Sequence, residues 1–68
     1  MTHAEYEHQR ACSRLQAAGR YWTEVVCDGS ATESERAAAH ASVRAAALAE
    51  ETAHAALLAS MAPTKEGA

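Results

Sequence analysis

The segment CDGSATESE, residues 27–35, decides the fold of this 68-residue chain. Its Asp-Gly-Ser run at 28–30 combines three residue types that favour turns, and Gly29 suits the left-handed residue that often follows a helix. Two overlapping Ser/Thr-x-x-Glu patterns, at 30–33 and 32–35, match the capping box that begins a helix. The segment therefore predicts that one helix ends near residue 27 and another begins near residue 32.

The ends of the chain carry matching signals. A third capping-box pattern, at residues 2–5, predicts that the first helix begins near residue 3. Pro63 is typical of the residues that follow the end of a helix. Together these signals predict an all-α, antiparallel two-helix hairpin as one domain at 1–62, with helix 1 at about 3–27, a turn at 28–31, helix 2 at about 32–61 and a disordered tail at 63–68.

An apolar stripe follows the first helix. Positions 4, 8, 11, 15, 18, 22 and 25 alternate steps of four and three, which keeps them on one side of a helix. His8 is the one polar member. We predict that this stripe packs against the second helix. We call its C-terminal part, which carries the larger side chains, the hairpin seam: Leu15, Ala18, Trp22 and Val25.

The second helix has an alanine surface roughly twice as wide as one helix neighbour needs. Apart from Glu35 near its start, its charged residues and histidines fall within a sector of roughly 120°, and the rest of the circumference is almost all alanine. The width predicts contact with helix 1 and with a second molecule. Alternatively, the alanines serve only as good helix formers. The predicted self-association surface consists of Ala37, Ala41, Ala45, Leu48, Ala49, Thr52 and Ala53.

The composition also indicates assembly. The chain contains nineteen alanines and no Phe, so large apolar side chains are few. Chains of fewer than roughly 70–80 residues usually need a disulfide, a metal or oligomerisation for stability. We predict that two hairpins pair as a homodimeric four-helix bundle. The many Ala and Arg residues suggest a GC-rich bacterial genome.

The two cysteines do not predict an intrachain disulfide. Cys12 and Cys27 lie on one predicted helix, about 22 Å apart at 1.5 Å per residue. A disulfide needs Cα atoms within about 7 Å. Cys12 borders the seam and is expected to act as a small apolar residue, whereas Cys27 at the hairpin tip is either an exposed thiol or an interchain bridge.

Two Glu-x-x-His patterns are the candidate metal ligands. Glu5 with His8 and Glu51 with His54 come together when the hairpin folds near residue 29. They resemble the ligand pairs of ferritin-like and encapsulated-ferritin bundles, which implies a dimetal site at the open end. The helical wheel opposes this arrangement, because it places Glu51 and His54 in the charged sector. For His8 the alternative is a hydrogen-bonded histidine within the stripe, so no metal or cofactor is expected.

Charge limits the classes of partner. A net charge of −3 lacks the basic footprint of a nucleic-acid binder. No targeting or membrane-spanning segment is evident, so a cytoplasmic protein without membrane contact is expected. The outer side of helix 1 offers residue types enriched at protein interfaces, and it is either a partner surface or a solvated one: Tyr6, Arg10, Arg14, Arg20 and Tyr21.

No catalytic constellation is present in the sequence. It has neither a Cys-x-x-Cys pair, a nucleophile elbow nor a Gly-rich phosphate loop. The sequence therefore favours a non-enzymatic adaptor or small regulator that acts through self-association and protein contacts. A metal-binding bundle and a subunit of a larger hetero-complex are the two alternatives.

Overall fold

The computed structural model describes residues 1–61, which form two helices, α1 (His3–Cys27) and α2 (Glu33–Met61). At 1.5 Å per residue they are about 37 and 43 Å long. His8 contacts Glu50 near the chain ends and Trp22 lies beside His40 near the turn, so the helices run antiparallel. The prediction of an all-α two-helix hairpin is confirmed. The predicted tail at 63–68 lies outside the described residues.

Each helix begins at a reciprocal capping box. At α1, the backbone N–H of Glu5 donates to Thr2 Oγ1 at 3.2 Å, and the backbone N–H of Thr2 donates to Glu5 Oε1 at 2.8 Å. Thr32 and Glu35 make the same pair of bonds at α2, at 3.1 and 2.8 Å. These bonds satisfy N–H groups that a helix start leaves free. Hydrogen bonding to the Thr2 backbone and side chain also holds the pKa of Glu5 below its usual value.

The turn is built by Asp28 and not by a left-handed glycine. No glycine among residues 1–61 has a positive φ, so the expectation for Gly29 is wrong. Instead, Asp28 Oδ1 accepts hydrogen bonds from the backbone N–H and the hydroxyl of Ser30, at 2.9 and 2.7 Å. The backbone N–H of Ala31 donates to the Asp28 carbonyl at 3.1 Å. Ser30 is therefore engaged in an Asx turn, and of the two overlapping patterns only 32–35 caps α2.

The hydrogen bonds from Ser30 favour the charged form of the Asp28 carboxyl. The Ser30 hydroxyl and backbone N–H hold the pKa of the Asp28 carboxyl below its usual value, and the positive charge of Arg36 adds to this effect. Arg36 also reaches back to the Asp28 carbonyl at 3.5 Å. The turn therefore joins the end of α1 to the first turn of α2 through polar contacts.

The hairpin has a very small core. Among residues 1–61 only Ala11, 7% exposed, and Ala39, 0% exposed, are buried. In this part of the chain no large side chain is fully buried, and Leu48, Leu58 and Met61 are 63%, 54% and 69% exposed. The buried positions are thus occupied by two alanines, whereas in a typical helical domain such positions are occupied by leucines and isoleucines. The helices are in contact from Trp22 and His40 near the turn to His8 and Glu50 near the open end, but they enclose almost nothing.

The side of α2 that faces α1 follows a four-three spacing. Its least exposed positions are Ala39, Val43, Ala46, Ala47, Glu50, Ala53 and Leu57, with Arg36 at the turn end. A row spaced by four residues advances about 40° around the helix at each step, whereas four-three alternation keeps to one line. The row from Ala37 to Ala49 is consequently exposed, and only its next member, Ala53, reaches the α1 side.

Candidate functional site

Three ligand-type side chains converge at the open end of the hairpin. His8 lies in the second turn of α1, and Glu50 and His54 are one turn apart on α2. His8 Nε2 lies 3.0 Å from Glu50 Oε2 and 3.4 Å from His54 Nδ1, and His54 Nδ1 lies 3.8 Å from Glu50 Oε2. We call this set the His8–Glu50–His54 cluster.

The cluster is partly shielded from solvent. The side chains of His8 and Glu50 are 22% and 24% exposed, and that of His54 is 52% exposed. The two imidazole rings are tilted by 60°, with centroids 5.3 Å apart. Cys12, one turn after His8, places Sγ 3.6 Å from His8 Nε2. The site is therefore a shallow, open-sided group of nitrogen and oxygen atoms beside a thiol.

Both helices direct these side chains by their register. His8 belongs to the stripe that faces α2, and Glu50 occupies the four-three line of α2 that faces α1. His54 is four residues after Glu50, and residues at this spacing lie on the same side of a helix. The charged sector of α2 is accordingly not wholly turned to solvent, since Glu50 points into the space between the helices.

Only two of the four candidate metal ligands meet. His8 and His54 come together, whereas the carboxylate between them belongs to Glu50 and not to Glu51, which is exposed. Glu5 is occupied by its capping bonds with Thr2. The i, i+3 pattern singles out Glu51 and therefore does not find Glu50. The signal that identifies Glu50 is its position on the four-three line through Ala39 and Val43.

The hairpin seam lies along the interface between the helices. Leu15, Ala18 and Val25 are half-buried there. Trp22 is 36% exposed, and its ring centroid lies 6.2 Å from that of His40, with the two rings tilted by 46°. The indole thus rests against α2 near the turn without being enclosed by it.

The predicted self-association surface is mostly open to solvent. Its members Ala37, Ala41, Ala45, Leu48, Ala49 and Thr52 are exposed, and Ala53 is half-buried against α1. Leu48 is placed by the helical repeat about half a turn away from the α1 side. The Thr52 hydroxyl donates to the Leu48 carbonyl at 3.1 Å, so this polar group is satisfied within its own helix. The exposed part of the surface is uncharged.

The outer side of α1 carries the predicted partner face. All five of its residues are exposed: Tyr6, Arg10, Arg14, Arg20 and Tyr21. The Arg10 guanidinium lies 5.7 Å from the centre of the Tyr6 ring, which is within the range of a cation–π contact. Both cysteines are free thiols, with Cys12 half-buried and Cys27 exposed.

Comparison with known proteins adds no assignment. No protein-family model, curated protein or solved structure gives a significant match to this chain. Within residues 1–61, neither helix is both long enough and apolar enough to cross a membrane.

Proposed function

We propose that this chain is a non-enzymatic helical-hairpin protein that acts as a homodimer, as an adaptor or small regulator. The observation that supports the proposal is the near absence of a core within the single hairpin. Among residues 1–61, Leu48 stays exposed on the outer side of α2 while only Ala11 and Ala39 are buried. A second copy packed on that side buries Leu48 and the alanines beside it.

A second copy supplies apolar burial that one hairpin has little of. Burying a leucine-sized side chain contributes about 1.5–3 kcal/mol, whereas an alanine has one methyl group to bury. The conformational entropy of ordering about sixty residues opposes folding and is far larger than two alanines can offset. Association that covers the outer side of α2 adds apolar burial without lengthening the chain.

The surface favours a copy of itself over a charged partner. Its exposed alanines carry no charge, and the hydroxyl of Thr52 is already bonded to its own helix. Such a surface needs no oppositely charged partner, and it loses no hydrogen bond to water when an interface buries it. Small side chains also let a facing helix approach to the short end of the usual 8–10 Å spacing. Two such surfaces related by a two-fold axis give the proposed four-helix bundle.

The dimer leaves the outer side of α1 free. Tyr6, Arg10 and their exposed neighbours can then contact a partner protein, since Tyr and Arg often carry binding energy at interfaces. Two free thiols fit a reducing compartment, which supports the proposal of a cytoplasmic protein. A subunit role in a larger hetero-complex is the competing assignment for the same α2 surface.

The test is sedimentation equilibrium of the reduced, untagged chain at micromolar concentration. We expect twice the chain mass for the wild type and the mass of a single chain for Ala45→Glu, because a carboxylate inside a dry interface is costly. Ala17→Glu is the matched control, since Ala17 is exposed on α1, and it should remain dimeric. A monomeric wild type would contradict the proposal, and low helicity in that monomer would favour the hetero-complex.

A further inference from the structure

We propose that the His8–Glu50–His54 cluster is a binding site for one zinc ion. Zinc bonds to imidazole nitrogen and carboxylate oxygen at about 2.0–2.2 Å, so ligand atoms around a tetrahedral ion lie about 3.4 Å apart. The three separations in the cluster are 3.0, 3.4 and 3.8 Å. One of these distances equals the expected value, and the other two differ from it by about 0.4 Å in opposite directions.

The donor set has the right chemistry. Two imidazoles and one carboxylate are ligand types that zinc uses, and three protein ligands leave the fourth position for water. The open side of the cluster, where His54 is about half exposed, gives that water and the entering ion access. The Cys12 thiol approaches His8 alone and is not one of the three converging ligands.

Hydrogen bonds alone do not pair all three groups of the cluster. His8 Nε2, His54 Nδ1 and Glu50 Oε2 lie within 4.8 Å of one another. A proton on His8 Nε2 can serve the Glu50 carboxylate at 3.0 Å, yet it leaves His54 Nδ1 facing another nitrogen at 3.4 Å. A metal ion accepts all three lone pairs at once. Neutral imidazole is required, so affinity should fall as the pH is lowered.

The site ties the two helices at the end opposite to the turn. His8 is separated from Glu50 by 42 residues and from His54 by 46 residues along the chain. A ligand that binds the folded but not the unfolded chain stabilises the fold, and the stabilisation increases with the logarithm of the free ligand concentration once that exceeds Kd. A bound zinc ion therefore cross-links α1 and α2 at the open end and stabilises a hairpin that has a very small core. This inference is independent of the proposed dimer, since all three ligands come from one chain.

The experiment is isothermal titration of zinc chloride into the reduced full-length protein, in a buffer that does not bind zinc, together with thermal melting by circular dichroism. We expect one zinc ion per chain and a higher melting temperature at saturation. Glu50→Gln and His54→Gln should each weaken binding more than tenfold. Glu51→Gln and His3→Gln are matched controls at exposed positions, and their affinities should stay within about twofold of the wild type.

The Glu50→Gln variant retains the side-chain shape and can still hydrogen-bond to His8, so it tests ligation more than folding. Its helicity without zinc should equal that of Glu51→Gln. The inference is overturned if the wild type shows neither zinc binding nor a melting shift. It is also overturned if Glu50→Gln binds as well as Glu51→Gln, because the ion would then be held by other groups, such as the thiols. A dimer mass in either case leaves the proposed function intact.

Discussion

The substitution Ala39→Leu probes the packing between the two helices most directly. Ala39 has no exposed surface and lies on the side of α2 that faces α1. Its methyl group sets how closely the helices approach there. A leucine adds three heavy atoms where no space is open, so the helices must separate or the leucine must adopt a strained rotamer.

The expected loss of stability can be estimated. Extra methylene groups in a packed interface typically cost about 1–3 kcal/mol. A small domain of this length seldom has more than about 3–5 kcal/mol of stability in total. The melting temperature of a 60–100-residue domain changes by about 4–8 °C per kcal/mol. Ala39→Leu should therefore lower it by about 5 °C or more and remove a large share of the total stability.

The measurement is thermal and urea unfolding followed by circular dichroism at one fixed protein concentration, because association makes melting depend on concentration. Ala17→Leu is the control. It makes the same change in the middle of α1, where Ala17 is exposed, and helix propensities of Ala and Leu are close. We expect its melting temperature to stay near that of the wild type.

A different ranking would refute the packing described here. If Ala39→Leu melted at or above the temperature of Ala17→Leu, the region around Ala39 could not be closely packed. The helices would then have to face each other through another side of α2. In that event the placement of Glu50 beside His8 would lose its structural basis as well.

Three further predictions concern single positions. Gly19→Ala should stabilise the fold by about 0.5–1 kcal/mol in urea unfolding, because Gly19 is helical and an added Cβ meets no atom within 4 Å. A loss of stability in this variant would show that the space around Gly19 is more crowded than the structure indicates. Thr32→Ala should cost about 0.5–2 kcal/mol through loss of the α2 cap, whereas Ser34→Ala should change stability little. Folding lowers the pKa values of Glu5 and Asp28, so their stabilising contribution is complete at neutral pH and is lost as the pH falls below about 4. Acid titration followed by circular dichroism should show that loss, and Asp28→Asn should reduce it; an unchanged acid transition in that variant would remove Asp28 as a cause.

Local patterns in the sequence were enough to predict the hairpin. Capping boxes and breakers act over three or four residues, so the starts of both helices can be read without knowing the packing. The turn was harder. Gly29 looked like the residue that reverses the chain, but the Asp28 carboxylate can organise the same turn through Ser30. Two local solutions compete there, and composition alone does not choose between them.

The orientation of α2 could not be predicted, for a physical reason. Alanine covers most of its circumference, so rotating the helix about its axis changes the buried apolar area very little. Large residues normally fix that rotation, and here Val43 and Leu57 are the few that do. A rotation of 100° exchanges Glu50 for Glu51, so the sequence does not show which of the two lies beside His8. The position of His8 is less sensitive, because it lies on the well-defined stripe of α1.

The slenderness of the hairpin affects how its assembly can be detected. A molecule about 43 Å long and one helix pair wide has high hydrodynamic drag for its mass. On a gel-filtration column it elutes ahead of a compact protein of 68 residues, so a single chain can pass for a dimer. Side-by-side pairing widens the particle with little gain in length, which brings its frictional ratio closer to that of a sphere. End-to-end pairing raises that ratio, so sedimentation velocity can distinguish the two geometries as well as count the chains.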